Sequence, residues 1–220
     1  MSNHLSISDL EFKMSDKVLN NTNEIKDLGV IFNSKLTFDA HIDAIVSKAK
    51  QRLYLIRKSF ISSDSSALIF AFKAYIIPIL EYCSTVWSPS SIRDILRIES
   101  VQRLFTKTLI NCKDCKSYGE RLKLCGLTTL ERRRLVADLS LFYKICNTIV
   151  VVDLGDAIIP LISTITRGHS RRYKIPSARI NIRNNFFTHR TIKVWNTLAE
   201  EVVSAGSIAQ FKSLVSKADE

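Results

Sequence analysis

Bond-making chemistry on phosphates needs acidic side chains held close together, because divalent ions must be clamped about the reacting oxygens. In this 220-residue chain the adjacent acids are Glu200-Glu201 and Asp219-Glu220. The first pair falls in a helical tail and the second at the terminus, so neither is expected to hold metal. There is no glycine-rich phosphate loop and no Gly-x-Ser-x-Gly elbow. Self-sufficient catalysis is therefore not expected, and no catalytic residue, metal ligand or cofactor is assigned to this chain.

Three other clusters invite chemistry. Cys112-x-x-Cys115 has the spacing of a zinc pair, with Cys125 and Cys146 following. A second close pair is missing, and His4, His41, His169 and His189 are scattered, so zinc is not expected. The five cysteines read as reduced thiols of an intracellular protein, with Cys83 and Cys146 on apolar faces. Asp39, His41 and Asp43 gather at a helix start, where the positive end of the helix dipole accounts for the carboxylates without a metal. Arg132-Arg133-Arg134 falls in the first turn of a helix, where that dipole disfavours cations. Either an anionic ligand or neighbouring acids such as Glu131 would account for the triplet.

The strongest bias is in charge. The chain has 32 Lys+Arg against 21 Asp+Glu, a net of +11. From Ala157 to Ala199 stand Arg167, Arg171, Arg172, Lys174, Arg179, Arg183, Arg190 and Lys193, with no acid. One segment thus carries most of the excess and is expected to meet a polyanion, nucleic acid being the commonest. The opposing reading is a solvated surface balanced by acids elsewhere in the fold.

These side chains need a scaffold, and hydrophobic spacing predicts a mainly α one. The 46% hydrophobic and 24% charged residues exclude wholesale disorder. No apolar run is long enough to span a membrane, the nearest (Ala67 to Leu80) carrying Lys73 and Pro78. The first residues lack a basic-then-apolar secretory leader. Leu10 to Met14 alternates weakly, Asn20 to Asn23 is a turn signal, and Glu24 to Phe32 reads as a strand, giving a small hairpin. Asp39 should cap a helix whose stripe is Ile42, Ile45, Val46, Ala49, Leu53, Ile56 and Phe60. A central helix is expected from Ser66 to Trp87, kinked at Pro78. A third should run from Ser91 to Ile110, a short connector from Lys113 to Gly126, and a fourth from Thr128 or Thr129 to Asn147. Ala178 to Arg183 alternates with period two, as a strand would. Phe187 to Val202 and Ser207 to Lys217 should close the chain as helices.

Several strings, in order, resemble the C-terminal region of LINE-type (non-LTR, jockey-like) retrotransposon reverse transcriptases. They are Lys26-Asp27-Leu28-Gly29-Val30, Pro78-Ile79-Leu80-Glu81-Tyr82 with Val86-Trp87, Ile98-Glu99-Ser100-Val101-Gln102-Arg103, Ala137-Asp138-Leu139 with Phe142-Tyr143-Lys144, Thr166-Arg167-Gly168-His169, and Trp195-Asn196 with Phe211-Lys212. The match extends over residues 24–214. Ile77 and Ala199 depart from the relatives, which often have Arg and Pro there; the first puts a phosphate contact near residue 77 in doubt.

The resemblance implies three parts: residues 1–37 as a hairpin remnant of the palm–thumb junction, 38–150 as a helical thumb-like bundle, and 151–220 as an irregular basic segment with terminal helices. It implies that the palm, its paired aspartates and their Mg lie upstream, so that this chain is a truncated copy. Its partners would be RNA or an RNA/DNA duplex, and the missing polymerase domains. Thumb contacts would come from Lys48, Arg52, Arg93, Arg97 and Arg103. A second contact would use Arg167, Arg171, Arg172, Lys174, Arg179 and Arg183. Such cations position a backbone without reading bases. The rivals are a helical protein-interaction module and an inert remnant of an element. Without a palm to cover it, the hairpin is also expected to expose apolar surface.

Overall fold

The computed structural model describes residues 12–15, 17–59, 64–109, 112, 114–115, 117–152, 154, 157–161 and 168–217. Leu10, Phe60, Ile110, Arg167 and the Asp219-Glu220 pair, all named above, lie outside them. The fold is mainly α, with small antiparallel strand pairs at its start.

β1 (Lys13–Met14) pairs with β2 (Lys17–Val18), and β3 (Glu24–Asp27) with β4 (Val30–Asn33). The expected single strand over residues 24–32 is therefore two strands. Leu28 and Gly29 both have positive φ, +43° and +87°, the geometry of a two-residue hairpin turn. A second pressure fixes this turn: the Tyr82 hydroxyl donates to the Leu28 carbonyl at 3.0 Å. Val30 is buried against the helices, while Phe12, Met14, Ile25 and Leu28 are exposed.

α1 (Asp39–Ser59) buries Ile42, Val46, Ala49, Leu53 and Ile56, the stripe its spacing dictates. The expected central helix is instead three pieces: α2 (Ser65–Tyr75), α3 (Ile77–Glu81) and α4 (Ser84–Trp87). Pro78 lacks an N–H and crowds the preceding turn, so α2 stops before it. Cys83 at φ +52° makes the second break, and the Trp87 indole N–H occupies the freed Tyr82 carbonyl at 2.7 Å. Nor is the segment buried all round, since Phe70, Tyr75 and Tyr82 face solvent.

α5 (Ile92–Lys107) buries Ile98, Val101 and Phe105. α6 (Tyr118–Cys125) begins with a Ser117–Glu120 capping box and ends at Gly126 in the left-handed region. α7 (Leu130–Cys146) is capped by the Thr129 side chain, which accepts from the Arg132 N–H. The apolar interior falls into two clusters. One runs from Val30 through the α1–α6 region to Leu130; the other joins Leu139, Phe142 and Tyr143 of α7 to the C-terminal elements. α7 contributes to both.

In the C-terminal part, α8 (Asn181–Asn184) stands where alternation suggested a strand. Ile180 and Ile182, which a strand would have buried on one face, are exposed. Asn184 N–H instead closes a helical turn on the Ile180 carbonyl at 3.2 Å. The helix expected from Phe187 to Val202 divides into α9 (Phe187–Trp195) and α10 (Glu200–Val203). The Asn196 side chain between them bonds both backbone groups of Tyr173, at 3.0 and 2.8 Å. α11 (Ile208–Lys217) packs on α7 through Phe211 and Val215.

His41, in the first turn of α1, is buried beside the first cluster. Its ring meets Trp87 edge-on at 5.1 Å, and its Nδ1 accepts from the Ile31 N–H. Burial, and secondarily Lys26, holds its pKa below the usual 6.5; burial does the same to His189. The unfolded chain then takes up protons below pH 6.5 that the folded chain refuses, so stability is present above that pH and lost below it. The melting temperature is expected to decline as pH falls from 6.5 toward 5, and His41→Gln to flatten that decline. A pH-independent melting temperature over this range would contradict it.

Candidate nucleic-acid interface

The sequence-predicted cations separate into two kinds. Some are consumed internally. The Arg97 guanidinium lies 3.1 Å from Asp94 Oδ1 and also contacts Asp43. Arg97 is therefore a clamp between α1 and α5 rather than an open phosphate contact. Burial, followed by repulsion from Asp39, pushes the Asp94 carboxyl up. Arg93, by contrast, faces water, its guanidinium only 3.8 Å from the same carboxylate. Arg171 is exposed at its edge, but its Nη1 bonds Asn147 Oδ1 at 3.1 Å and approaches the Val203 carbonyl at 3.4 Å. Its own carbonyl accepts from the Trp195 indole at 2.8 Å. Arg172 packs its side chain along Gly168, within 3.4 Å of where a Cβ would stand.

The others face water. Lys48 and Arg52 are exposed on α1. At about 100° per residue they occupy the flank away from Asp43, Ser47 and Lys50, which line a depression with Arg97 and Ser100 of α5. The thumb candidates are therefore not gathered on one face. Arg103 is exposed over the Tyr118 ring, 4.7 Å from its centroid, on the α6 side of α5.

In the basic segment, the Pro160–Tyr173 bridge sets residues 159–161 beside 172–174. Tyr173 turns inward against Phe142 at 5.3 Å, and Lys174 is exposed. Arg179 and Arg183 follow, also exposed, the latter on α8. Lys193 of α9, which the residue spacing had not singled out as a contact, joins them: both Arg183 and Lys193 bear electrostatically on the His189 ring. Among the described residues, no ion pair engages Lys174, Arg179, Arg183 or Lys193. The signal for Lys193 was its i+3 relation to Arg190: two neighbouring cations on one short helix, of which one is used internally.

Arg190 is that internal cation. It bonds both oxygens of Asp138 at 2.8 and 3.0 Å, the Asn185 carbonyl at 2.9 Å and the Thr85 carbonyl at 2.7 Å. The triplet on α7 resolves in the same direction. Arg132 reaches the Val215 carbonyl and Arg133 the Glu81 carboxylate, while Arg134 is buried near Glu99, Glu131, Glu81 and Asp138. Own-chain groups thus occupy Arg132 and Arg133, the latter through Glu81 of α3 rather than Glu131, whereas both terminal nitrogens of Arg134 are buried without a hydrogen-bond partner.

Asp39, His41 and Asp43 diverge, His41 into the core and Asp43 toward Arg97. Among the described residues no group of His, Cys, Asp and Glu is placed to hold a metal ion. No helix there is long and apolar enough to cross a membrane. A cleft of about 530 Å³ opens between the β3–β4 hairpin, the start of α5 and α8, walled by Phe32, Leu36, Phe38, Val86, Pro89 and Phe186.

No family model matches this chain, and no solved structure matches it. An uncharacterized protein of Caenorhabditis elegans is 23% identical over 127 residues, 57% of this chain. The match covers 64% of that relative, just under two thirds of its length.

Proposed function

We propose that this chain is a sequence-tolerant nucleic-acid-binding scaffold, of the kind that follows the palm in LINE-type reverse transcriptases, and that it grips RNA or an RNA/DNA duplex through the phosphate backbone. The observation that carries the reading is the set of exposed cations in one acid-free stretch: Lys174, Arg179, Arg183 and Lys193. Backbone binding asks for cations without base-edge readout, and A-like duplexes present phosphates and 2′-hydroxyls rather than a readable major groove.

The strings that carry the resemblance also have physical work in this fold. Glu99 accepts from Tyr118 and from the Leu130 N–H at 3.0 Å, and Gln102 donates to Tyr118 and the Thr128 carbonyl at 3.1 and 2.9 Å. Asp138, Trp195 and Asn196 tie the C-terminal elements to α7 and to residues 171–173. The likeness is thus one of scaffold joints, which suits a domain that positions a strand rather than cuts one.

The test is a filter-binding titration with an RNA/DNA duplex across a salt series. The slope of log K against log salt is expected between about −4 and −5. Replacing Lys174, Arg179, Arg183 and Lys193 with Gln should flatten it by up to about 3.6, at 0.9 per phosphate, with the circular dichroism spectrum unchanged. A wild-type slope near zero would refute the electrostatic grip. Arg171 is left in place because its bonds to Asn147 and Val203 are structural.

The cleft beside α8 favours a second reading, a protein-docking module. Under that reading the fourfold variant retains nucleic acid as the parent does, and Phe186→Asp abolishes partner capture.

A further inference from the structure

Cys112 and Cys125 are 13 residues apart in sequence, yet their sulfurs lie 3.5 Å from each other, buried. Cys112 stands in the turn after α5 and Cys125 is the last residue of α6. The half-buried Cys115 shares that turn. Its N–H reaches the Cys112 carbonyl at 3.3 Å, its thiol bonds to that of Cys112, and it bears electrostatically on Cys125. All five cysteines are free thiols, and Cys83 and Cys146 stand outside this group.

We propose that Cys112, Cys115 and Cys125 form a reversible dithiol–disulfide site, oxidised by a small-molecule disulfide such as glutathione disulfide, with Cys112–Cys125 as the stable product. The two buried sulfurs need to close by only roughly 1.5 Å to reach bonding distance. Cys115 is the thiol with access to solvent. Its thiolate attacks glutathione disulfide, forming a mixed disulfide and releasing one glutathione thiolate. Cys112 then attacks the Cys115 sulfur and releases the second glutathione. Cys125 in turn attacks the Cys112 sulfur, and Cys115 leaves as a thiolate. The net change is two protein thiols oxidised and one glutathione disulfide reduced to two thiols, with each attacking thiol giving its proton to solvent.

Burial pushes Cys125 up to about 12 and raises Cys115 as well. Exchange goes through the thiolate, so the reaction is slow at neutral pH and quickens as pH rises. The product would staple the end of α6 to the turn after α5. That turn and helix flank Tyr118, the ring on which Arg103 rests, so oxidation would stiffen one of the exposed cation platforms.

The experiment treats the whole chain with glutathione disulfide at pH 8, then alkylates it under denaturing conditions. The expected product is about 2 Da lighter before alkylation, from the two hydrogens lost, and peptide mapping should place the bond between Cys112 and Cys125. Its melting temperature should exceed that of the reduced chain by about 5 °C or more. Cys115→Ser should slow formation at least tenfold without changing the final product. The proposal is overturned if all five thiols stay alkylatable. It is also overturned if a mixed disulfide at Cys115 or a Cys112–Cys115 bond is the end product, or if Cys115→Ser leaves the rate unchanged. The wild-type mass and map stand by themselves should any cysteine variant fail to fold.

Discussion

Arg190→Ala should lower the free energy of unfolding by about 3–5 kcal/mol, read as a drop in the urea midpoint at constant slope. Its guanidinium joins three stretches of chain: Asp138 on α7, the Thr85 carbonyl on α4 and the Asn185 carbonyl before α9. Removing it leaves a buried carboxylate and two carbonyls without their donor. Asp138 is already strained in this sense, because burial raises its carboxyl more than Arg190 pulls it down. Desolvation therefore consumes most of what the pair gains. The double variant Asp138→Leu with Arg190→Met should accordingly recover the part of the loss owed to the stranded carboxylate, while the Thr85 and Asn185 carbonyls stay without their donor. Arg190→Lys should fall between, since an ammonium cannot span the carboxylate and both carbonyls. An Arg190→Ala unfolding free energy within about 0.5 kcal/mol of wild type, by the same curves, would show that the latch holds nothing.

Trp195→Ala should cost a similar amount, about 3–5 kcal/mol. The indole is fully buried, with Phe142 at 5.0 Å, Phe211 at 5.9 Å and His169 at 6.1 Å. Its N–H donates to the Arg171 carbonyl, and its own carbonyl accepts from His169 Nε2 at 2.9 Å. His169 Nδ1 in turn accepts from the Arg171 N–H at 3.1 Å, which fixes the neutral ring with its proton on Nε2. Trp195→Phe retains most of the apolar volume and loses the donor, so it should cost about 1–3 kcal/mol. Amide exchange should then quicken specifically over residues 168–174. If exchange there is unchanged, the indole is not what anchors the basic segment.

Much of this architecture is legible in the residues, where apolar spacing alone decides. The stripe of α1 and the short α11 are of that kind. What spacing cannot register is a polar side chain whose partner is far away in sequence. Glu99, Gln102, Asp138 and His41 are buried because Tyr118, Thr128, Arg190 and Ile31 meet them. None of those pairings leaves a local periodicity. The same blindness governs the candidate site. Arg97 and Arg190 look like Arg179 and Arg183 in a charge count, yet Arg97 is paired with Asp94 of its own helix and Asp43 of α1, and Arg190 with Asp138 of α7. Residues 178–183 misled for the converse reason: alternation predicts a strand only where a second strand is available, and among the described residues none pairs with it.

α7 belongs to two interiors at once, and this sets an order of events at the ribosome. The N-terminal cluster can close soon after Leu130 clears the exit tunnel, because Leu130 is its last member. The distal half of the same helix then waits with Leu139, Phe142 and Tyr143 bare until Trp195 and Phe211 have been translated. A nascent chain therefore carries a greasy, half-docked helix from the translation of Tyr143 until that of Phe211, the interval in which a ribosome-associated chaperone would find it.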